Sequence, residues 1–260
     1  TSLNFKRFIS KGEKTLKRIL NWCGLVAGLV WIATPAAGQQ AYTIVHIQGH
    51  RCLLAGPADV PDDAPVVFIL HGLGANAENL FPMIRAMNLP PCRYVVPDAP
   101  LPYGDNTYAW YNFQTQSRAD MVNSRNYLYG LMRVFSTVGE KPGHVRPIIM
   151  TGFSQGGVMS LEAGLNYKGN VEAIVCMSGY MWYPDQTLAH PFAPLTIPIL
   201  MVHGTYDMVV TEDWTQKTLK ALNQAGFKPI FKEFPMSHGI TRESLAEVTQ
   251  FLQNILKVKN

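Results

Sequence analysis

A mostly parallel α/β sheet, covered by helices on both faces, is the fold class this sequence predicts, and three observations predict it. Apolar runs of strand length recur at residues 66–70, 93–97, 147–151, 171–177, 199–203 and 230–234. Stretches with apolar residues at helical spacing separate most of these runs, the alternation expected of crossover-connected parallel strands. Finally, the residues best equipped for chemistry directly follow predicted strands, and sheets of this kind gather their sites at the strands' carboxyl ends.

The chain has 260 residues, 47% of them apolar and 11% aromatic, enough for one sizeable core and one domain. Its formal charge is +4, but the first 18 residues carry Lys6, Arg7, Lys11, Lys14, Lys17 and Arg18 against Glu13 alone. Sixteen basic and seventeen acidic residues remain elsewhere, so no nucleic-acid footprint is left. After the basic stretch comes the apolar run Cys23–Ala33, then Pro35 and the small residues Ala36, Ala37 and Gly38. Positive region, apolar region and small-residue site are the three parts of a secretory signal. Residues 1–38 are therefore expected to target the chain for export, to the periplasm or medium, with a mature chain from Gln39 forming one catalytic domain. An uncleaved segment would instead anchor it and bring it into membrane contact. Cys176 sits within an apolar run as a core residue. Cys52 and Cys92 have a spacing that leaves a disulfide open.

In chain order, residues 42–47 alternate with β-branched positions and 51–54 follow a Gly49-His50 turn, which predicts a hairpin. His46 and His50 stand four apart, yet no helix or carboxylate supports a metal site there. Residues 57–65 are a proline- and aspartate-rich loop. The strand at 66–70 runs into His71-Gly72-Leu73-Gly74, where glycines let a backbone N–H face a site. Leu80, Ile84 and Met87 mark a helix with Pro82 in its first turn, and the strand at 93–97 follows. Residues 98–112 are expected to be an aromatic loop, either a packed cover or the wall of an acyl pocket, with Trp110 and Tyr111 as pocket candidates. Met121, Leu128, Leu131, Met132 and Phe135 predict a long helix ending before Pro142-Gly143. The 171–177 strand leads into a loop over 178–196 that carries Trp182, a further pocket candidate. Thr211 is expected to cap a helix with Glu212 and Asp213 in its first turn and Gly226 at its end. Leu245, Val248, Phe251, Leu252 and Ile255 predict the last helix.

The chemistry centres on Gly152-Phe153-Ser154-Gln155-Gly156. G-x-S-x-G between a strand and a helix places a serine, strained and exposed, on a sharp turn that the flanking glycines permit. A serine hydroxyl needs a base within hydrogen-bond reach, and the base needs a carboxylate to fix its tautomer. His238 is the candidate base and Asp207 the candidate acid, since both follow strands and the order Ser, Asp, His suits this fold class. The rivals are Asp185, in an irregular loop, and Asp213, explained by its helix terminus, with His190 and His203 among the histidines. His71 comes too early for that order and reads as an organiser of its loop. Negative charge developing on a substrate oxygen needs preformed donors, worth on the order of 3 kcal/mol each. The N–H groups of Leu73 and Gln155 are the candidates, and no metal or organic cofactor is required.

Together these segments resemble the carboxylesterase, lysophospholipase and acyl-protein thioesterase family of small α/β-hydrolases. The resemblance spans roughly 64–257 and rests on His71-Gly72-Leu73-Gly74, Pro97-Asp98-Ala99-Pro100, Trp110-Tyr111, Gly152-Phe153-Ser154-Gln155-Gly156-Gly157, His203 through Val210, and Ser237-His238. It implies an α/β-hydrolase fold, a Ser154, Asp207, His238 triad, Leu73 and Gln155 as oxyanion donors, and small-molecule or lipid ester substrates. Asn112 stands where that family often has aspartate. An exported feruloyl or polyester esterase, or a binding protein with an idle triad, would share the same fold.

Overall fold

The computed structural model describes residues 42–257 except 48, 58, 59, 116 and 138–144. The expected leader, the start at Gln39 and the Pro142-Gly143 helix stop lie outside the described residues. Among the described residues, eight strands form one sheet in the order β1-β2-β4-β3-β7-β8-β9-β10. β1 (Tyr42–Ile47) and β2 (His50–Ala55) make the expected hairpin, and β2 also runs antiparallel to β4 (Arg93–Pro97). From there β3 (Val66–Leu70), β7 (Ile148–Phe153), β8 (Val171–Met177), β9 (Ile199–Gly204) and β10 (Ile230–Phe234) are all parallel. Buried on both faces, β3 needs the unbroken apolar sequence VVFIL, whereas the edge strand β10 leaves Ile230 exposed.

Alternate residues of each strand feed two cores. Val66, Phe68 and Leu70 pack beneath α2 (Arg118–Ser136), α3 (Gln155–Asn166) and α5 (Glu212–Gln224), through Leu128, Leu161 and Leu222. Val67 and Ile69 face α1 (Phe81–Met87) and α6 (Arg242–Lys257), through Ile84 and Phe251. A 3₁₀ turn at Ala77–Leu80 leads into α1, so Pro82 falls in the first turn, where its missing N–H costs nothing. Ser117 caps α2 by accepting the Asp120 N–H at 3.1 Å. Gly226 takes φ +93° just past α5, as a helix stop requires. Cys52 and Cys92 lie in the two different cores, on opposite faces of the sheet, and no disulfide joins them. Burial pushes the Cys92 thiol up to about 11 and that of Cys176 up to about 12, which leaves both as inert core groups.

Three expectations need correction. Residues 98–112 are not all loop: β5 (Leu101–Gly104) and β6 (Thr107–Ala109) form a separate two-stranded hairpin, turned by Asn106 at φ +51°. The 178–196 excursion contains a one-turn helix, α4 (Pro184–Thr187). Thr211 does occupy the cap position of α5, but its side chain makes no capping hydrogen bond there.

Candidate active site

Ser154 sits between β7 and α3 at φ +55° and ψ −121°, a left-handed conformation that a side chain adopts only when its surroundings impose it. Close packing imposes it here. A Cβ on Gly152 would strike the Gly156 carbonyl, and one on Gly156 would strike the Leu70 carbonyl of the neighbouring strand. Only with glycine at both places can α3 begin this close to the sheet. The Ser154 N–H is tied to the Met177 carbonyl of β8 at 2.9 Å, which fixes the turn further.

Three strand exits bring the sequence-predicted triad together. His238 Nε2 lies 3.0 Å from Ser154 Oγ, and its Nδ1 lies 2.8 Å from Asp207 Oδ2. The other carboxylate oxygen, Oδ1, accepts the N–H groups of Val209 and Val210, both at 2.9 Å. One oxygen of Asp207 is therefore spoken for by the backbone and the other is left for the imidazole. The acid and base loops are also laced to each other, since the N–H groups of Thr205 and Tyr206 donate to the carbonyls of Phe234 and Met236. The Asp207 carboxylate is fully enclosed, while 18% of the His238 side chain remains exposed, enough to meet an incoming group. Phe153 packs its ring 4.9 Å from the imidazole. The carboxylate bonded to this base is that of Asp207, while Asp213 pairs with Lys217 at 2.7 Å on the surface and Asp185 stands in the first turn of α4.

Ser154 opens into a cavity of about 270 Å³ whose walls include Leu73, Tyr111, Phe113, Tyr180 and Val210. Leu73, on the loop after β3, and Gln155, at the first position of α3, both line it. Among the described residues no backbone carbonyl takes the N–H of Leu73 or Gln155, so both donors stand beside the serine uncommitted. The loop carrying Leu73 is held by His71. That ring donates through Nδ1 to the Gly72 carbonyl at 2.7 Å and accepts the Ala99 N–H through Nε2 at 3.0 Å, a pattern only the neutral Nδ1–H tautomer satisfies. Burial also pushes the His71 pKa down. Asp98 secures the same loop, accepting the Ala77 N–H at 2.7 Å and pairing with Arg51 at 3.1 Å.

The sequence matches the profile of the phospholipase/carboxylesterase family over residues 57–256. The chain belongs to that family. Among its relatives, an acyl-protein thioesterase 1 of Gibberella zeae is 26% identical, over 82% of this chain and 99% of that protein. A homologue of the same enzyme in Dictyostelium discoideum is 30% identical over 64% of this chain and 79% of its own length. The fold matches the crystal structure of Zea mays acyl-protein thioesterase 2 with a TM-score of 0.67 and 23% identity, covering 79% of this chain and 99% of that one. It also matches that of esterase PE8, with a TM-score of 0.65 and 26% identity over 78% and 99% of the two chains. The structure is thus an α/β-hydrolase, as the family resemblance implied, and its mostly parallel sheet is the one that the strand and helix alternation predicted.

In this phospholipase/carboxylesterase-family chain two of the three expected pocket aromatics are placed differently from expectation. Trp110 does not line the cavity. It is fully buried, its indole N–H donating to the His71 carbonyl at 2.8 Å and its backbone N–H to Gln155 Oε1 at 3.0 Å. Trp182 lines a neighbouring cavity instead, and of these three Tyr111 is the one that lines the Ser154 cavity. The sequence reading overlooked the Gln155 side chain, which brackets the Trp110-Tyr111 backbone by also donating through Nε2 to the Tyr111 carbonyl at 3.0 Å. It also overlooked Phe113, Phe153, Tyr180 and the two valines around Asp207. For the valines the available signals were adjacency to Asp207 and their place in the His203-to-Val210 segment.

Proposed function

We propose that this chain is a serine hydrolase that cleaves carboxylic esters or thioesters through an acyl-enzyme. The observation that carries the proposal is the hydrogen-bonded series Ser154, His238, Asp207 at the mouth of an apolar cavity. Ser154 Oγ attacks the carbonyl carbon while its proton passes to His238 Nε2. Asp207 holds the imidazole as the Nδ1–H tautomer and stabilises the imidazolium that forms. The oxyanion is met by the N–H groups of Leu73 and Gln155. Collapse expels the alcohol or thiol, which leaves with the proton from His238. Water then repeats the sequence with His238 as base and releases the acid. Every step uses side chains and backbone of this chain, so no cofactor is called on. The apolar walls suit the acyl part of a small-molecule or lipid ester. The relatives described above, an esterase and acyl-protein thioesterases, support both bond types. The basic and apolar composition of residues 1–38 supports an exported enzyme, periplasmic or secreted, or one anchored by that segment.

The pH profile tests the role of the base. His238 must be neutral to take the serine proton, so kcat/KM is expected to be full at mildly alkaline pH. It should fall as acid protonates the imidazole and removes the base. Burial pushes the pKa values of His71 and His203 down, which favours their neutral forms. Measured with p-nitrophenyl butyrate, a profile flat from pH 5 to 8 would remove His238 as base.

A further inference from the structure

Two cavities lie side by side beneath the 178–196 excursion. One, of about 270 Å³, holds Ser154 and His238. The other, of about 290 Å³, is walled by Tyr180, Met181, Trp182, Pro184, Trp214 and Lys217. Tyr180 is common to both. The indole of Trp182 stands between them. On one side it meets Tyr111 and Phe113 edge-on, with centroids 5.5 and 5.1 Å away, and both of these rings line the serine cavity. On the other it lies 5.4 Å from Tyr180 and 6.2 Å from Trp214, which line the second.

The segment bearing this indole is firmly held. The Met181 N–H donates to Thr218 Oγ1 on α5 at 2.8 Å, and the Arg118 guanidinium lies 5.3 Å from the centroid of the Tyr183 ring. A little further along, Thr187 donates its hydroxyl to Glu162 on α3. That carboxylate is almost wholly buried and is neutralised by Arg118 at 3.0 Å and Arg125 at 2.8 Å. A buried carboxylate with two cationic partners and a hydroxyl donor fixes geometry strongly, because losing any partner would leave charge uncompensated. The excursion is thus pinned to α2, α3 and α5 on either side of Trp182.

The geometry points to Trp182 as the partition that limits the length of acyl group able to lie beside Ser154, with the second cavity as room for the distal methylenes when the partition is removed. This specificity role rests on the ester and thioester hydrolase reading above. The second cavity has aromatic walls, and its one charged lining group, Lys217, is already paired with Asp213 at 2.7 Å. An uncharged apolar tail is the chemistry that fits such walls. In the wild-type chain, an acyl group entering past Ser154 meets the Tyr111 and Phe113 rings, with the Trp182 indole packed behind them, before it can reach that space.

The experiment compares kcat/KM for p-nitrophenyl butyrate, octanoate and laurate, all below their micellar concentrations, in the wild type, Trp182→Ala and Trp182→Phe. Each further methylene taken from water is worth roughly 0.8 kcal/mol, so opening the second cavity to even two of them raises the laurate-to-butyrate ratio by about tenfold or more. Trp182→Phe, which keeps a ring but vacates part of the indole, should give an intermediate ratio. If Trp182→Ala yields no soluble protein, the Phe variant decides alone. A uniform change across the three esters, leaving the ratio where it was, would overturn the partition, because loss of packing alone scales all substrates together. A wild type inactive on every ester would instead overturn the hydrolase reading on which the inference rests.

Discussion

Replacing Ser154 by alanine is expected to reduce turnover of p-nitrophenyl butyrate by a factor on the order of 10⁶. The change removes one oxygen, the atom 3.0 Å from His238 Nε2, and nothing else. Alanine keeps the Cβ that serine already holds at φ +55°, so the backbone strain of the turn is the same in both proteins. Gly152 and Gly156 still allow the close approach of α3, and the buried face of that helix is untouched. The melting temperature should therefore stay within about 3 °C of the wild type, a shift that corresponds to less than 1 kcal/mol in a domain of this size. Activity retained in a well-folded Ser154→Ala protein would end the nucleophile assignment.

Asp207→Asn should reduce kcat by about 10³ to 10⁴, and the structure explains why an isosteric change does so much. Val209 and Val210 both present N–H donors to one side of this group, so an asparagine must turn its carbonyl oxygen toward them. Its amino group then faces His238 Nδ1 at 2.8 Å and donates to it. The imidazole is forced into the Nε2–H tautomer, which presents a proton to Ser154 where it should present a lone pair. Steady-state kinetics on the folded variant read this directly, with Asp185→Asn and Asp213→Asn expected to change kcat less than about twofold. A severe loss in Asp185→Asn with Asp207→Asn near wild type would move the acid to the 178–196 excursion.

The parts of the fold that showed in the sequence were those governed by local pattern. VVFIL could only be a strand buried on both faces, and Met121, Leu128 and Phe135 could share a face only on a helix. Ser154, Asp207 and His238 were legible because each follows its strand within a few residues, so topology alone carries them to one end of the sheet. The β5–β6 hairpin did not show, since Pro102 and a mixture of aromatic and polar residues hide any alternation. The turn residues Asp105 and Asn106 were its one signal. α4 is a single turn, too short for periodicity to register. The misplacement of Trp110 has a different origin. An aromatic residue close to a motif looks the same in sequence whether it walls a cavity or props up the loop behind it, and only the indole N–H bond to the His71 carbonyl separates the two. Likewise Gln155 drew attention for its backbone N–H, while its side-chain amide bridges a segment 45 residues away.

Covalent capture of the nucleophile tests the acyl-enzyme most directly. A small alkyl fluorophosphonate, incubated with the protein at neutral pH, should add one phosphonyl group per chain with loss of fluoride. Peptide mass mapping should place it on the 147–166 segment at Ser154, and His238→Ala should slow labelling by orders of magnitude because the serine then lacks its base. Stoichiometric addition at Ser154 is the result expected. Addition at another serine, such as Ser160, whose hydroxyl is bonded to the Gly156 carbonyl, would contradict the mechanism, as would an unmodified Ser154 in an enzyme that still hydrolyses esters.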